Sequence, residues 1–241
     1  MKIFIDAFYI ILYRPLFNFL VLLYKYIPGQ DFGFSVIILT ILMKALLYPL
    51  GAKAIKSQKA LSELQPKIKE IQEKYKDNKE KQTLEILALY KKAKINPFSG
   101  FLLILIQFPI LIALYRVFRY GLQPEQMVHL YSFVSVSLPI NPQFLGVIDL
   151  TKPFWLFAVL AGILQFVATK MLMPKEKKNQ KKKSEISEVF QKQMQYFLPF
   201  FTVIILLKLP SVLGLYWITT TVFSIVQQYL VLKKKNKYAR D

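Results

Sequence analysis

The sequence predicts an all-α polytopic membrane protein: five transmembrane helices around a hydrophilic groove, an N-terminal interfacial amphipathic helix and a cytoplasmic helical hairpin. Three observations predict it. The 241-residue chain is 54% hydrophobic, with a mean hydropathy of +0.36. It nevertheless carries 33 Lys and Arg against 14 Asp and Glu, a net charge of +19. The apolar residues gather in stretches near the roughly 20 residues that a bilayer span requires, and the charges gather between them. A water-soluble nucleic-acid binder could hold the charge, but not this hydropathy with 15% aromatic residues. A disordered basic tail would be poor in aromatic and branched side chains. The chain has no Cys, so no disulfide, thiolate nucleophile, Cys-based zinc site or lipid-modified cysteine is expected. One His in the whole chain excludes a multi-histidine metal site, and no cofactor is expected.

Residues 1–30 form the first element. The stretch RPLFNFLVLLYKYIPG reads as an amphipathic helix in the outer interface, with Pro15 at its start. A sixth span and a signal peptide are the alternatives; Asp6, Arg14, Asn18 and Lys25 speak against both, and no small-residue cleavage site is evident. Residues 31–50 carry the first span, FSVIILTILMKALLYPL, interrupted only by Lys44. Residues 51–97 form the hairpin. Its two charge-alternating helices, 53–76 and 80–93, are separated by Asp77-Asn78, and Leu61, Leu64, Ile68 and Ile71 face Leu84, Leu87 and Leu89. The second span is 98–120, the extracytoplasmic loop 121–152 and the third span 153–173. A basic cytoplasmic loop, 174–193, precedes the fourth span, 194–209, and the fifth, 210–232; Pro210 closes the turn between them. The tail 233–241 is again basic. Segments 51–97, 174–193 and 233–241 hold 24 of the 33 basic residues, whereas the loop 121–152 holds Lys152 alone. Five spans place those three segments on one side, which the positive-inside rule makes cytoplasmic: N-terminus outside, C-terminus inside.

Lys44 demands a physical account. It lies nine positions from Lys53, roughly 13 Å along a helix, and a Lys at a helix centre costs on the order of 2.5–3.5 kcal/mol on insertion scales. Its stem spans only about half the distance needed to snorkel to the interface, so a polar cavity in the protein interior is the expected environment. Thr40, one turn before, and Tyr48, one turn after, would share its helix face. Gln107 lies in the second span, Gln165 in the third, and Thr219–Thr221 in the fifth, near Gln227 and Gln228. One polar residue per span often serves interhelical hydrogen bonding; four spans contributing around one Lys favour a shared hydrated groove. No Asp or Glu lies in any span, leaving a carboxylate proton relay or cation site without ligands. No Gly-rich phosphate loop and no inverted repeat are present, and His129 reads as an exposed loop residue.

The order LQPK, helix, ALYK, Asn96-Pro97 and IQFPI, together with LPSVLGLYWITTTVFSIVQQYLV, resembles the YidC/Oxa/Alb membrane-protein insertase family from about Arg14 to the basic tail. The resemblance implies five core spans, a cytoplasmic hairpin and a groove open to cytoplasm and lipid but closed outside. A groove cation one turn after a Thr corresponds here to Lys44 and Thr40. The family usually has Arg, and Lys cannot grip a carboxylate bidentately. Tyr216-Trp217 match an aromatic pair of the fifth span, the Asn common just after it is replaced within Thr219–Thr221, and Thr220 is counted to the groove. Together with Gln107 and Gln165 these residues make up the expected substrate groove. The large extracytoplasmic domain of many relatives and the lipoprotein start of others are not expected. The implied function is insertion and assisted folding of nascent membrane proteins in the bacterial cytoplasmic membrane, without an enzymatic step. The implied partners are those nascent chains, anionic lipids, the ribosome and the Sec translocon, with no DNA and no small-molecule substrate. Lys67, Lys74, Lys91 and Lys92 would serve recruitment on the hairpin, and Lys233, Lys234 and Lys235 contact with lipid or ribosome. Two competing classes are a small-anion transporter or channel using Lys44, and a chaperone that opens no path.

Overall fold

The computed structural model describes residues 6–96, 99–120, 123–134, 140–173 and 185–238. Most of the expected 174–193 loop, the end of the basic tail and the first five residues lie outside them. The described chain is almost entirely helical. Helix α1 (Asp6–Tyr26) contains one π-helical turn, Tyr9–Tyr13. A short turn through Gly29, whose φ of 75° suits a residue without Cβ, leads into α2 (Phe32–Leu46). Asp31 caps α2 by accepting from the Phe34 N–H at 3.0 Å, and its other carboxylate oxygen accepts from the Leu145 N–H at 2.6 Å. One side chain thus starts the helix and ties it to a loop more than a hundred residues away.

At Leu47 the chain bends by 69° into α3 (Tyr48–Lys74). Pro49 falls in the first turn of α3, where its missing N–H has no helical partner to lose. The bend corrects one expectation: Tyr48 does not continue the face of Thr40 and Lys44 but opens the next helix. Helix α4 (Lys79–Lys92) is capped by Asn78, which accepts from the Lys81 N–H at 2.9 Å, and folds back on α3 as a hairpin. Its zipper is partial: Ile68 is buried, whereas Leu84 and Leu87 are exposed. The Lys59 ammonium donates to the Met173 carbonyl at 2.6 Å, anchoring α3 beneath the end of α6 (Trp155–Leu172).

Helix α5 (Ser99–Tyr120) crosses from the hairpin to a loop with a 3₁₀ turn, Pro124–His129, and a small antiparallel hairpin, β1 (Gln143–Phe144) and β2 (Ile148–Asp149). Helices α6, α7 (Glu185–Leu206) and α8 (Ser211–Tyr238) form a tight unit, with α2 laid against α8 and α3 crossing α5 and α8. Gly162 lets α6 and α7 approach so closely that a Cβ there would strike Val203. Pro109 and Pro199 sit inside α5 and α7, as membrane helices tolerate.

Three of the described helices are individually long and apolar enough to cross a bilayer: Asp6–Tyr26, Trp155–Leu172 and Ser211–Lys233. The bent pair α2–α3 makes a fourth, and Gln195–Leu206 is a shorter apolar helix. The molecule is thus an all-α polytopic membrane protein. The apolar core lies toward the end that carries the 123–152 loop. There Phe17, Leu20 and Tyr24 of α1 meet Phe32, Val36 and Leu39 of α2, and Leu114 and Val117 of α5, with Val212 and Tyr216 of α8. Beyond Thr40 the character of α2 changes: Ile41, Leu42 and Leu46 are 42%, 45% and 80% exposed.

Candidate functional site

The expected groove residues fall on α2, α5, α6 and α8, and the structure joins some of them. Lys44, in the last turn of α2, is half-buried, and its ammonium lies over the ring of Phe223 of α8 at 5.9 Å from the centroid. The Tyr48 ring stands edge-on to the same ring, centroids 6.4 Å apart. The bend at Leu47 therefore separates Lys44 and Tyr48 along the chain, and Phe223 reunites them. A cation over an aromatic face gains roughly 0.5–2 kcal/mol, more as water is withdrawn. None of the described carboxylates pairs with Lys44, so its charge is offset only by ring quadrupoles and whatever solvent or ligand enters.

Thr40 is buried next to this site, but its hydroxyl donates to the Val36 carbonyl at 2.6 Å. The same pattern recurs on α8, where Thr219 donates to the Leu215 carbonyl and Thr221 to the Trp217 carbonyl, each at 2.8 Å. These hydroxyls are consumed by their own helices, as Ser and Thr in apolar helices often are. Thr220, between them, lies one turn beyond Tyr216. The Gln107 amide of α5 donates to the Tyr216 hydroxyl, a link across two helices that otherwise touch little. Gln107, singled out as a polar residue of the second span, and Tyr216, singled out by the resemblance, thus meet. Trp217 packs against the apolar core instead, and Gln165 of α6 is half-buried with its carbonyl accepting from Thr169.

Sequence reasoning missed Phe223. Its signal was available in the spacing: Tyr216, Thr220, Phe223 and Gln227 fall at i, i+4, i+7 and i+11, one stripe of α8. At the far end of that stripe the Gln227 amide donates to the Tyr48 carbonyl at 2.8 Å, tying α8 to the first turn of α3. A Cβ on Gly51 would lie 2.8 Å from the same amide nitrogen, so Gly there lets α3 close on α8.

Of the lysines expected to face the cytoplasm, Lys67, Lys74, Lys91 and Lys92 are exposed on the hairpin. Lys233 is exposed near the end of α8, with its ammonium over the Tyr229 ring at 5.7 Å. The side chains of Lys234 and Lys235 lie outside the described residues. The loop end of the molecule is knitted by Asn18, whose amide donates to the carbonyls of Arg14 (2.8 Å) and His129 (3.2 Å) while its oxygen accepts from the Tyr131 N–H at 2.6 Å. Asn18 had counted against membrane burial of α1; here its polarity is absorbed by the loop.

The model of the family described as 60Kd inner membrane protein matches residues 22–238. A protein of Fusobacterium nucleatum named membrane protein insertase YidC is 34% identical over 204 residues, 85% of this chain and 87% of the relative. Proteins of the same name from Syntrophus aciditrophicus and Buchnera aphidicola are 33% and 34% identical over 91% and 93% of this chain, which spans 36% and 38% of their length. The chain thus covers most of one relative and little more than a third of the others. A family model spanning most of the chain and relatives one-third identical across it lead to one conclusion: the protein belongs to the 60Kd inner membrane protein family, the YidC/Oxa/Alb family that its sequence resembles.

Proposed function

We propose that this chain is a membrane protein insertase of the bacterial inner membrane, acting on nascent membrane proteins through a hydrated groove that opens to cytoplasm and lipid. The observation that carries the reading is Lys44: a lone cation, half-buried at the level where α2 turns from sealed core to exposed surface. The names of the relatives support the activity. The asymmetry of the core supports a groove closed toward the 123–152 loop and open toward the hairpin. We place that loop outside and the C-terminus inside, on the distribution of Lys and Arg. Helix α1 we place in the outer interface rather than across the bilayer. Besides its packing on α2 and α5, its side-chain hydrogen bonds to other segments, from Tyr13 to Tyr24, reach Gln126, His129, Tyr131 and Asn141, all of the loop. Loop residues bonded to α1 along about 16 Å of its length would have to enter the hydrocarbon if α1 spanned it, and irregular backbone is excluded from lipid.

The mechanism follows from electrostatics. A client helix carrying a short polar tail must move it across about 30 Å of hydrocarbon. A groove reaching halfway shortens the dry path, and the Lys44 charge attracts an acidic tail into it. The transmembrane potential adds about 2.3 kcal/mol per charge per 100 mV for an acidic tail leaving the cell. Lys67, Lys74, Lys91 and Lys92 would recruit partners on the hairpin, and Lys233–Lys235 would meet anionic lipid, the ribosome or a neighbouring Sec translocon. The test is insertion of a single-span client with an acidic N-terminal tail into liposomes holding the purified protein. Lys44→Ala lowers the rate about tenfold, one charge interaction of about 1.4 kcal/mol at intermediate dielectric, and Lys44→Arg retains it. Full insertion by Lys44→Ala refutes the role of the charge. Client binding without translocation by the wild type refutes the insertase reading in favour of a chaperone.

A further inference from the structure

The chain has four Arg against 29 Lys, and three of the four, Arg14, Arg116 and Arg119, cluster at the loop end of the molecule. Two of them are engaged. Arg14 donates to the His129 carbonyl at 3.1 Å and stacks over Tyr131, 4.7 Å from the centroid. Arg119 donates to the Tyr115 hydroxyl and lies against the Tyr115 and Tyr120 rings. Arg116 differs: its guanidinium lies 5.8 Å from the centroid of Phe8, and no described carboxylate pairs with it. It borders an open cleft of about 460 Å³ between α1 and the last turns of α5.

The walls of that cleft are of two kinds. Tyr9, Tyr13 and Gln126 line it with hydroxyl and amide groups. Tyr13 already donates to Gln126 at 3.2 Å, whereas the Tyr9 hydroxyl is buried without a hydrogen-bond partner among the described residues. Tyr9 and Tyr13 bound the π-helical turn of α1 and stack at 5.2 Å; π-turns are rare and concentrate at functional sites. The other wall, from α5, is largely apolar: Ile112, 38% exposed, with the rings of Tyr115 and Tyr120; Ile10 and Ile11, which follow Tyr9 on α1, are 62% and 69% exposed. Because α5 runs 22 residues, about 33 Å, its last turns sit at headgroup level in a bilayer.

We propose that this cleft binds the phosphodiester of an anionic phospholipid from the leaflet on the side of the 123–152 loop. Arg116 clamps the phosphate and the Tyr9 hydroxyl donates to it, while the acyl chains run along Ile112 and Ile10–Ile11. A planar guanidinium matches phosphate with two parallel N–H donors, which Lys cannot do; this explains Arg in a chain otherwise built with Lys. The volume suits a headgroup. A free phosphate would leave the apolar wall exposed, and an acidic peptide would need no acyl track, so a lipid fits both walls.

The test is native mass spectrometry of the full chain in nonionic detergent, titrated with phosphatidylglycerol and separately with phosphatidylcholine. Wild type retains phosphatidylglycerol preferentially. Arg116→Gln weakens it about tenfold, Arg116→Lys about threefold, and Tyr9→Phe, which removes a single oxygen and leaves the packing intact, by severalfold. Equal retention of phosphatidylglycerol by wild type, Arg116→Gln and Tyr9→Phe overturns the proposal. Displacement of the lipid by millimolar inorganic phosphate, or by an acidic peptide at the lipid's own concentration, overturns it in favour of those ligands.

Discussion

Replacing Asn18 by Ala removes the side chain that fastens α1 to the 123–152 loop, and the structure sets the size of the effect. Asn18 is 2% exposed and makes three hydrogen bonds, at 2.6, 2.8 and 3.2 Å. The His129 carbonyl keeps a second donor in Arg14, and the Arg14 carbonyl lies within a helix. The Tyr131 N–H has no such replacement. Leaving one buried donor unpaired costs about 1–3 kcal/mol, and each of the other two bonds contributes about 0.5–1 kcal/mol. The sum, about 2–5 kcal/mol, falls on the local docking of the loop rather than on the whole bundle. Hydrogen exchange of the Tyr131 amide in the detergent-solubilised protein reads that docking directly, and about 30- to 5,000-fold faster exchange is expected in Asn18→Ala. Asn18→Asp separates the parts: it retains an acceptor for Tyr131 but turns oxygen toward two carbonyls. Wild-type exchange at Tyr131 in Asn18→Ala would refute the view that this carboxamide holds the loop, and with it the structural argument for an interfacial α1.

Two further outcomes follow from named contacts. A double-mutant cycle of Gln107→Leu and Tyr216→Phe should yield a coupling of about 1 kcal/mol in thermal unfolding, the value of one buried hydrogen bond between α5 and α8; additive effects would mean that the pair does not bridge them. The Asp149 carboxyl is held below its ordinary range by the Thr151 hydroxyl and N–H and by Lys152, which lies 3.1 Å away. A depressed carboxylate stabilises the folded loop fully above the usual carboxylate pKa and loses that contribution as pH falls through the lower folded value. Protection of the Thr151 amide should therefore drop as pH falls below about 4 in the wild type and stay flat in Asp149→Asn.

Much of the molecule is written locally. Apolar runs lie within two residues of the ends of α5 and α6, whereas α8 runs on to Tyr238, six residues past the expected end of the fifth span at 232. The pair α3–α4 was legible from charge alternation broken at Asp77-Asn78, because a turn residue that caps the next helix needs no distant partner. Lys44 stood out because a charge inside an apolar run is expensive wherever the run packs. What neighbours Lys44 was only half legible: spacing puts Phe223 on one stripe with Tyr216, Thr220 and Gln227, but only the packing of α2 on α8 gives it a cation to face. The bend at Leu47 was hidden for a related reason. Pro49 permits a bend and equally permits a straight helix start, and the bent arrangement brings the Tyr48 carbonyl to the amide of Gln227, 179 residues away.

Sequence alone determined that this chain enters a membrane, how its charge is sorted along it and which lysine lies where charge is costly, since hydropathy and charge are properties of single residues and short windows. Tertiary structure alone decided that the hydroxyls of Thr40, Thr219 and Thr221 turn back on their own helices, that Asn18 belongs to the loop, and that Arg116 borders a cleft with an unpaired tyrosine hydroxyl. Asn18 and Arg116 depend on which distant groups lie within reach, and the Thr hydroxyls turn to their own helices where packing offers no other partner; both are properties of the packed chain.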